Sequence, residues 1–508
     1  MADVKRETER KYESHQSGLP DLTGVGGVTA VLDKGVVELD ATYYDTPDER
    51  LAADGVTLRR RTGGSDAGWH LKLPVAPGVR DEIRAPLSDT VPDDLTALAR
   101  SRVRDAELVP VVRLRSVRDV RHLVDTDGRL LAEASVDAVT AERLTAAGGL
   151  TQWTEIEVEL ADGGDPAFLD LVDKRLRKAD VRPSKSPSKL ARALAETAPK
   201  RKKGKAGQKG QRGREAAPPV TAGDHVLAYL RAQRNAIVAL DPAVRRDVED
   251  SVHQMRVATR RARSALRAYR ALFDRAVTDP IGAELKWLAG ELGVDRDREV
   301  LAERLTGDLA ALPDTLVSGP VGDRLRIWAE GRRGGSRSRL LGVLDSARHM
   351  ALLDALDALL ADPPLRGPAG KKPGKVIAKA VRDELRRVSG LVELAIDTPP
   401  GQDRDVAVHE ARKKAKRARY AAEAAVPALG DPAAVLARSM KSMTQLLGDH
   451  QDSVMARQAL RELSAVAHAA GESDFTYGLL YGREEQRAAT VEGELPGAWR
   501  KATSRASV

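Results

Sequence analysis

The segment TEIEVEL, residues 154–160, decides the fold of the first part of the chain. Its residues alternate strictly in character, as in a β-strand with two different faces. The largely apolar face consists of Thr154, Ile156, Val158 and Leu160. The acidic face consists of Glu155, Glu157 and Glu159. Because like charges close together raise the energy of a sheet, the acidic face needs cationic partners.

Cationic faces occur on other predicted strands that also have an apolar side. Their cations are Arg59 and Arg61 in VTLRRR, Lys72 in WHLKL, and Arg113 and Arg115 in VVRLRSVR. If these strands close into a barrel with the charged faces inward, the interior is a tunnel lined by cations and carboxylates. The stretch RETERKYE, residues 6–13, adds Glu7, Glu9 and Lys11 on one face if it is a strand. The alternative is a solvated charged arm.

The chain divides into three segments by pattern. Residues 1–198 have mostly period-two alternation, which predicts strands near 36–44, 55–62, 68–74, 80–87, 110–125, 129–139 and 151–160. The same segment predicts helices near 92–101, 165–179 and 187–198. Residues 199–220 form a basic, flexible linker, and residues 221–508 have the 3.6 period of an all-helical domain. The predicted fold is α+β, a closed antiparallel barrel with flanking helices followed by an all-α bundle.

Composition excludes several classes of protein. The 508 residues include no cysteine, which excludes disulfides, thiolate metal sites and a cysteine nucleophile. No apolar run approaches the roughly 18 residues of a membrane-spanning helix, so no membrane role is expected. The N-terminus lacks the apolar core of a secretory signal. We therefore expect a cytoplasmic protein.

The net charge of +8 is unevenly distributed. Residues 1–198 have 29 Lys and Arg against 35 Asp and Glu, a net charge of −6. The linker has 8 against 1, and residues 221–508 have 46 against 39, so each contributes +7. An acidic and a basic domain indicate two modules with different chemistry.

The charged tunnel suits a phosphate chain. Arg and Lys stabilise phosphate oxygens, whereas grouped carboxylates would repel them unless hard divalent cations lay between. Carboxylates together with phosphate oxygens suit Mg²⁺ or Mn²⁺, which can polarise a phosphoryl group and activate water. The sequence therefore predicts metal-assisted phosphoryl hydrolysis.

The same residues resemble the CYTH superfamily of triphosphate tunnel metalloenzymes. The resemblance covers residues 1–198 and lies in ETERK (7–11), YYDT (43–46), LRRR (58–61), LKL (71–73), LAEASVD (131–137), EIEVEL (155–160) and SKSPSK (184–189). It implies a catalytic set of Glu7, Glu9, Lys11, Glu157 and Glu159. The implied metal ligands are Glu7, Glu9, Asp137, Glu157 and Glu159, with Glu133 as a further candidate. The implied phosphate-binding residues are Lys11, Arg59, Arg61, Lys72, Arg113, Arg115, Lys185 and Lys189.

The substrate is left open by this resemblance. The superfamily includes inorganic, thiamine and RNA triphosphatases and a class of adenylate cyclases, and a fold does not determine a substrate. No aromatic cluster for stacking a base or a thiazole is evident on the predicted strands. This favours an inorganic triphosphate or polyphosphate.

An internal repeat follows the linker. VHQMRVATRRAR (252–263) matches VHEARKKAKRAR (408–419) at an offset of 156 residues, and LGVDRD (292–297) matches LGDHQD (447–452) at an offset of 155. On a helix, the histidine and several cations of each copy form a basic stripe beside the buried face. Such a stripe is suited to lining a groove between helices.

This second half resembles the CHAD family, the conserved-histidine α-helical domain, over residues 221–508. The resemblance implies a helical bundle of two similar halves that binds inorganic polyphosphate, and it makes polyphosphate granules a candidate location. The residues that would bind phosphates are His253, Arg256, Arg260, Arg263, His409, Arg412, Lys413, Lys416 and Arg419.

Three functions are consistent with the sequence. The first is a metal-dependent triphosphatase with a polyphosphate-binding partner domain, and the second is a non-catalytic polyphosphate-binding protein. The third is nucleic-acid binding by the linker and basic helices. Since aromatic residues make up 3% of the chain, that binding would be salt-sensitive and blind to sequence.

Overall fold

The computed structural model describes residues 3–14, 18–145, 148–198, 218–293, 296–330 and 333–504, with side chains omitted at 296–299 and 333–336. The chain forms two compact units, Met1–Arg214 and Glu215–Val508. Most of the predicted linker, residues 199–217, lies outside the described residues. Its limits therefore stay a prediction.

The first unit contains nine β-strands. They are β1 (Asp3–Glu13), β2 (Ala30–Asp45), β3 (Thr57–Thr62), β4 (Gly68–Ala76), β5 (Val79–Ala85), β6 (Val109–Val124), β7 (Leu130–Arg143), β8 (Leu150–Leu160) and β9 (Arg182–Pro183). The order in the sheet is β5-β4-β3-β2-β6-β7-β8-β1-β9. The seven predicted strands are confirmed, although β2 begins six residues before its predicted start.

Strand β1 closes the sheet into a barrel. Its first half pairs antiparallel with β5, with Lys5 opposite Glu82, and its second half pairs with β8, with Lys11 opposite Glu157. The eight long strands therefore form a ring without a free edge, which confirms the predicted antiparallel barrel. The segment RETERKYE is a strand, so the alternative of a solvated arm is wrong.

Four helices pack on this barrel. They are α1 (Arg50–Ala53), α2 (Asp93–Val103), α3 (Ala167–Lys178) and α4 (Lys189–Glu196). The first three lie on the apolar outer face, whereas Leu190 of α4 packs with the inward-facing Tyr43 and Leu114. Leu95 and Leu98 of α2 pack in a buried cluster with Trp69 and Leu71, and Leu169 and other α3 residues pack in a separate one. Burial of these apolar residues, at about 25 cal/mol per Å² of apolar surface, holds the helices on the barrel.

The second unit is helical. Its α-helices are α5 (Ala222–Arg245), α6 (Ser251–Ala268), α7 (Arg275–Glu291), α8 (Arg296–Ala310), α9 (Val321–Glu330), α10 (Arg333–Asp345), α11 (Ala347–Ala361), α12 (Pro373–Asp397), α13 (Gln402–Leu429), α14 (Asp431–Ala469) and α15 (Phe475–Ser504). Among the described residues, none of these helices is sufficiently long and apolar to cross a membrane. The predicted all-α architecture is confirmed.

The two copies of the repeat share one local arrangement. The guanidinium of Arg256 in α6 lies against Gly293, where a Cβ atom would be 2.6 Å from it. The guanidinium of Arg412 in α13 lies against Gly448 in the same way, at 3.0 Å from such a Cβ. These pairs correspond in the two repeated sequences, and the need for space explains the glycine in each LG motif. The division of the whole bundle into two repeats stays a prediction.

Candidate functional site

The barrel encloses a cavity of about 490 Å³, within the size range of ligand pockets. Alternate residues of the strands point into it, because successive side chains of a strand face opposite sides. The charged residues that line it include Lys5, Glu7, Glu9, Lys11, Arg59, Arg61, Lys72, Arg80, Glu82, Arg84, Arg118, Glu133, Glu157, Glu159 and Lys189. The cavity thus contains all five residues of the predicted catalytic set.

The four glutamates of that set lie on the neighbouring strands β1 and β8. Glu9 is directly opposite Glu159 in the ladder, and each has a lysine partner. Glu9 Oε1 is 3.2 Å from Lys11 Nζ, and Glu159 Oε1 is 2.6 Å from Lys5 Nζ. Glu7 is paired with Lys72. These cations offset the repulsion that opposed carboxylates would otherwise cause.

Glu157 lies where three cations meet. It is paired with Lys11, and its oxygens are 2.6 Å from Lys189 Nζ and 2.7 Å from Arg118 Nη2. Burial opposes ionisation of Glu157, but the three cations outweigh it and hold its pKa well below the usual value. Glu157 is therefore a carboxylate at neutral pH, with its position fixed by its neighbours.

Lys189 also joins Glu157 to a buried acidic group on the same inward-facing side of β7 and β8. Carboxylate oxygens of Asp137, Glu155 and Glu157 lie within 4.8 Å of one another. Lys189 Nζ is 2.9 Å from Asp137 and 2.8 Å from Glu155. Although burial opposes its charge, these carboxylates raise the pKa of Lys189. Helix α4 begins at Lys189 after the N-cap Ser188, so the helix start positions this cation.

The cations of the cavity are crowded on the strands β3, β4 and β6. Arg61 is 6% exposed. Burial, together with the nearby charges of Arg59 and Arg118, lowers the pKa of Arg61 to about 9. Cations that repel one another in a buried site are stabilised when an anion binds between them. This wall of the cavity is therefore suited to a polyanion.

The pKa values of the carboxylates of β1 are shifted in opposite directions. Burial raises the pKa of Glu7, and the charges of Glu82 and Glu159 act in the same direction against the opposing charge of Lys72. For Glu9, burial is outweighed by Lys11 and by the other nearby cations, so its pKa is lowered. A bound divalent cation would lower the pKa of Glu7 by adding positive charge beside it.

The donor set fits a hard divalent cation. Glu7, Glu9, Glu157 and Glu159 present carboxylate oxygens to one cavity, and oxygen ligands are those that Mg²⁺ and Mn²⁺ prefer. Asp137, also predicted as a ligand, does not line the cavity. It is fully buried and accepts two hydrogen bonds of 2.7 Å from Arg118.

Three predicted phosphate-binding residues lie away from the cavity, and these predictions are corrected. Arg113 is exposed on the outer face of the barrel and pairs with Asp40, and Arg115 is exposed near Glu142. On β6 it is Leu114, Ser116 and Arg118 that point inward. Lys185 is exposed, because Pro187 and the N-cap Ser188 place it before the start of α4.

The structure adds cavity residues that the sequence reasoning missed. Arg118 has the inward parity of β6, two positions after Ser116. Arg80, Glu82 and Arg84 occupy alternate positions of β5 and form a charged face. This alternation is the sequence pattern that could have identified them as cavity residues. Glu82 is almost fully buried and accepts from Arg84 at 2.6 Å, and Lys72 lies 3.4 Å away. It links the carboxylates of β1 to the cations of β3 and β4.

The second candidate site, the predicted basic groove, is a cluster of basic side chains on the adjacent helices α6 and α13. The two helices are joined by a hydrogen bond of 2.6 Å from Tyr269 to the carbonyl of Ala421. Lys416 lies close to Arg256, Arg260 and Arg412. Burial, together with these three cations, lowers the pKa of Lys416 to about 7. Among the described residues, no carboxylate lies within ion-pair distance of Lys416.

The remaining predicted groove residues differ in their surroundings. Arg263 lies near Arg260 and Arg267 and continues the basic stripe. Burial and the charges of these two arginines lower the pKa of Arg263. His409 is half-buried, whereas His253 is exposed. Lys413 is exposed and pairs with Glu410, and Arg419 pairs with Glu423. The groove is therefore concentrated around Lys416.

Comparisons with known proteins agree with this arrangement. A CYTH domain model matches residues 5–194, and a CHAD domain model matches residues 228–461. An uncharacterised protein of Mycobacterium tuberculosis strain H37Rv is 39% identical over 511 residues, covering 97% of this chain and 96% of that protein.

Solved structures resemble part of the chain. PptA from Streptomyces chartreusis is 21% identical with a TM-score of 0.47, covering 55% of this chain and 99% of that one. The CHAD domain from the plant Ricinus communis is 23% identical with a TM-score of 0.43, covering 55% and 92%. With TM-scores below 0.5, neither likeness carries a conclusion. From its family models and its full-length relative, the chain belongs to the CYTH–CHAD proteins, in which a triphosphate-tunnel domain precedes a conserved-histidine helical domain.

Proposed function

We propose that the barrel hydrolyses inorganic triphosphate or polyphosphate with Mg²⁺ or Mn²⁺, and that the helical domain binds inorganic polyphosphate. One observation carries the first proposal. One cavity inside the barrel has carboxylates on β1 and β8 and crowded arginines on β3 and β6. The first wall suits metal ions, and the second suits the oxygens of a phosphate chain.

The side chains divide the work of this reaction. Arg59, Arg61 and Arg118 bind the phosphate chain and stabilise the charge that develops on the transferred phosphoryl oxygens. Lys11 and Lys189 hold Glu157 in position, which fixes one carboxylate of the metal-binding wall. When bound there, Mg²⁺ or Mn²⁺ supplies polarisation of the phosphoryl group and activation of a water molecule.

The lining of the cavity supports an inorganic substrate. Among the described lining residues, Tyr43 is the aromatic side chain, and it is buried and hydrogen-bonded to Arg59 at 3.4 Å. A ring held in this way offers no exposed face for a base or a thiazole. Thiamine triphosphate and nucleotides are therefore less suited to the tunnel than a bare phosphate chain.

The direct test is phosphate release from inorganic triphosphate by the full chain. We expect turnover with Mg²⁺ or Mn²⁺, loss of turnover with a chelator, and slower turnover of ATP and thiamine triphosphate. Binding of polyphosphate without any turnover would favour the alternative of a non-catalytic binding protein. Faster turnover of an organic triphosphate would contradict the inorganic assignment.

Binding of polyphosphate to the groove is expected to take up a proton at Lys416. Because Lys416 is buried and its ammonium is crowded by three cations, its pKa is about 7, and a bound polyanion would raise it towards the ordinary value of 10.5. Calorimetry at pH 7.5 in buffers of different ionisation enthalpy should show uptake of about half a proton or more.

Lys416→Arg is the matched control, since arginine keeps the charge but does not titrate near pH 7. This variant should bind polyphosphate without the proton uptake at this position. Equal uptake by wild type and Lys416→Arg would contradict the assignment. In the absence of ligand, the depressed pKa makes this lysine destabilising below pH 7. The stability penalty should decrease as pH rises from about 7 towards 10.5.

A further inference from the structure

The turn between β3 and β4, residues 63–67, contributes a carboxylate to the tunnel. Gly64, Ser65 and Asp66 line the same cavity as Arg59 and Arg61. The carboxylate of Asp66 is paired with the guanidinium of Arg61, and its backbone carbonyl is 2.9 Å from Nε2 of His70. Asp66 is thus fixed at both its side chain and its backbone.

The path of this turn is encoded by two glycines. Gly63 and Gly64 have φ values of 79° and 73°, which favour glycine. A Cβ at Gly63 would lie 2.3 Å from the carbonyl oxygen of Glu38, and one at Gly64 would lie 2.9 Å from Leu39. Placement of Asp66 in the cavity is therefore specified by the local sequence.

Asp66 forms an ion pair with Arg61, the cation that the proposed function assigns to phosphate binding. Among the described residues, it is the carboxylate within ion-pair distance of Arg61. Arg61 is buried beside Arg59 and Arg118, so it needs an anion in the empty tunnel as well as in the occupied one. A phosphate that binds Arg61 must replace the carboxylate of Asp66.

We propose that Asp66 is an internal competitor of the substrate and weakens the binding of every anion that needs Arg61. This inference rests on the proposed function of the tunnel. Orthophosphate exchanges one ion pair for another at Arg61 and gains little. A triphosphate contacts Arg59, Arg118 and Lys72 at the same time, so its additional contacts offset the loss of the Asp66 pair. Asp66 therefore weakens the binding of both anions by the same factor, and the long chain still binds because of its further contacts.

The test compares Asp66→Asn with Asp162→Asn. Asparagine keeps the shape of the side chain and removes its charge. Asp162 is a second carboxylate of the same cavity and lies near Lys5 rather than Arg61. In Asp66→Asn, inhibition by orthophosphate should strengthen about 5-fold, and the KM for triphosphate should fall by a similar factor. Asp162→Asn should leave both constants near their wild-type values.

Two outcomes would overturn the proposal. One is that Asp66→Asn changes neither constant, and the other is that Asp66→Asn and Asp162→Asn change the two constants equally. Calorimetric titration with orthophosphate and with inorganic triphosphate provides a second readout that does not need turnover. The helical groove is identical in wild type and variant, so a difference between their isotherms reports the tunnel. If wild type hydrolyses no triphosphate, the proposed function fails, but this comparison still tests Asp66. Thermal unfolding at the wild-type temperature confirms that Asp66→Asn is folded.

Discussion

Replacement of Glu7 and Glu9 together by glutamine is expected to lower the hydrolysis of inorganic triphosphate by at least about 10³-fold. Both side chains line the tunnel from β1, and glutamine has nearly the same shape but no charge. The amide oxygen is a weaker ligand for a hard divalent cation than a carboxylate. Initial rates at saturating Mg²⁺ or Mn²⁺ measure the effect.

The matched control changes two charges on the outside of the same barrel. Arg113 and Arg115 have side chains that are 43% and 61% exposed and face away from the cavity. The variant Arg113→Gln/Arg115→Gln should keep triphosphate hydrolysis within about twofold of wild type, as for other exposed positions. A large loss in this control, or normal turnover without Glu7 and Glu9, would contradict the assignment of the tunnel as the active site.

Asp137→Asn is expected to have the largest effect on stability, a loss of about 3–5 kcal/mol in the free energy of unfolding. Asp137 is fully buried and receives two hydrogen bonds from Arg118, and Lys189 is 2.9 Å away. Without the carboxylate charge, Arg118 and Lys189 repel each other in a buried site. Denaturant unfolding of the full chain should show an earlier transition for the barrel unit.

Asp40→Asn provides the comparison for this prediction. Asp40 also pairs with an arginine of β6, but the pair is on the outer face, and the change should cost no more than about 1 kcal/mol. Equal losses in the two variants would contradict the importance of burial. The pKa of Asp137 is lowered because Lys189 and Arg118 outweigh burial. The contribution of the Asp137 carboxylate to the free energy of unfolding is therefore complete above its unfolded pKa near 4. This contribution is lost as the pH falls towards the pKa of Asp137 in the folded protein.

The sequence was sufficient to predict the barrel because the signals were local. Alternation in TEIEVEL and RETERKYE specifies strands with one charged face, and like charges on that face indicate an interior shared with cations. The same reasoning failed on β6, where it assumed that apolar residues face outward. Leu114 faces inward and belongs to the buried cluster of Tyr43 and Leu190, so the flanking arginines lie outside.

The other differences depend on long-range contacts. Asp66 lies in a glycine-rich turn, and no local pattern shows that its carboxylate reaches Arg61. The roles of Lys189 and Lys185 could not be separated from their spacing alone, because the start of α4 decides which one enters the cavity. Likewise, the pKa of Lys416 depends on arginines from α6, more than 150 residues away in the chain.

Closure of the barrel by β1 determines the order in which this unit can form during synthesis. Strand β1 is made before every strand with which it pairs, yet its second half must wait for β8, which ends at Leu160. Pairing over such a separation is slow, and an unpaired strand invites aggregation. Eight of its eleven residues, DVKRETERKYE, are charged. The charged side chains of β1, four of which line the finished tunnel, therefore also keep the nascent strand soluble before β8 is made.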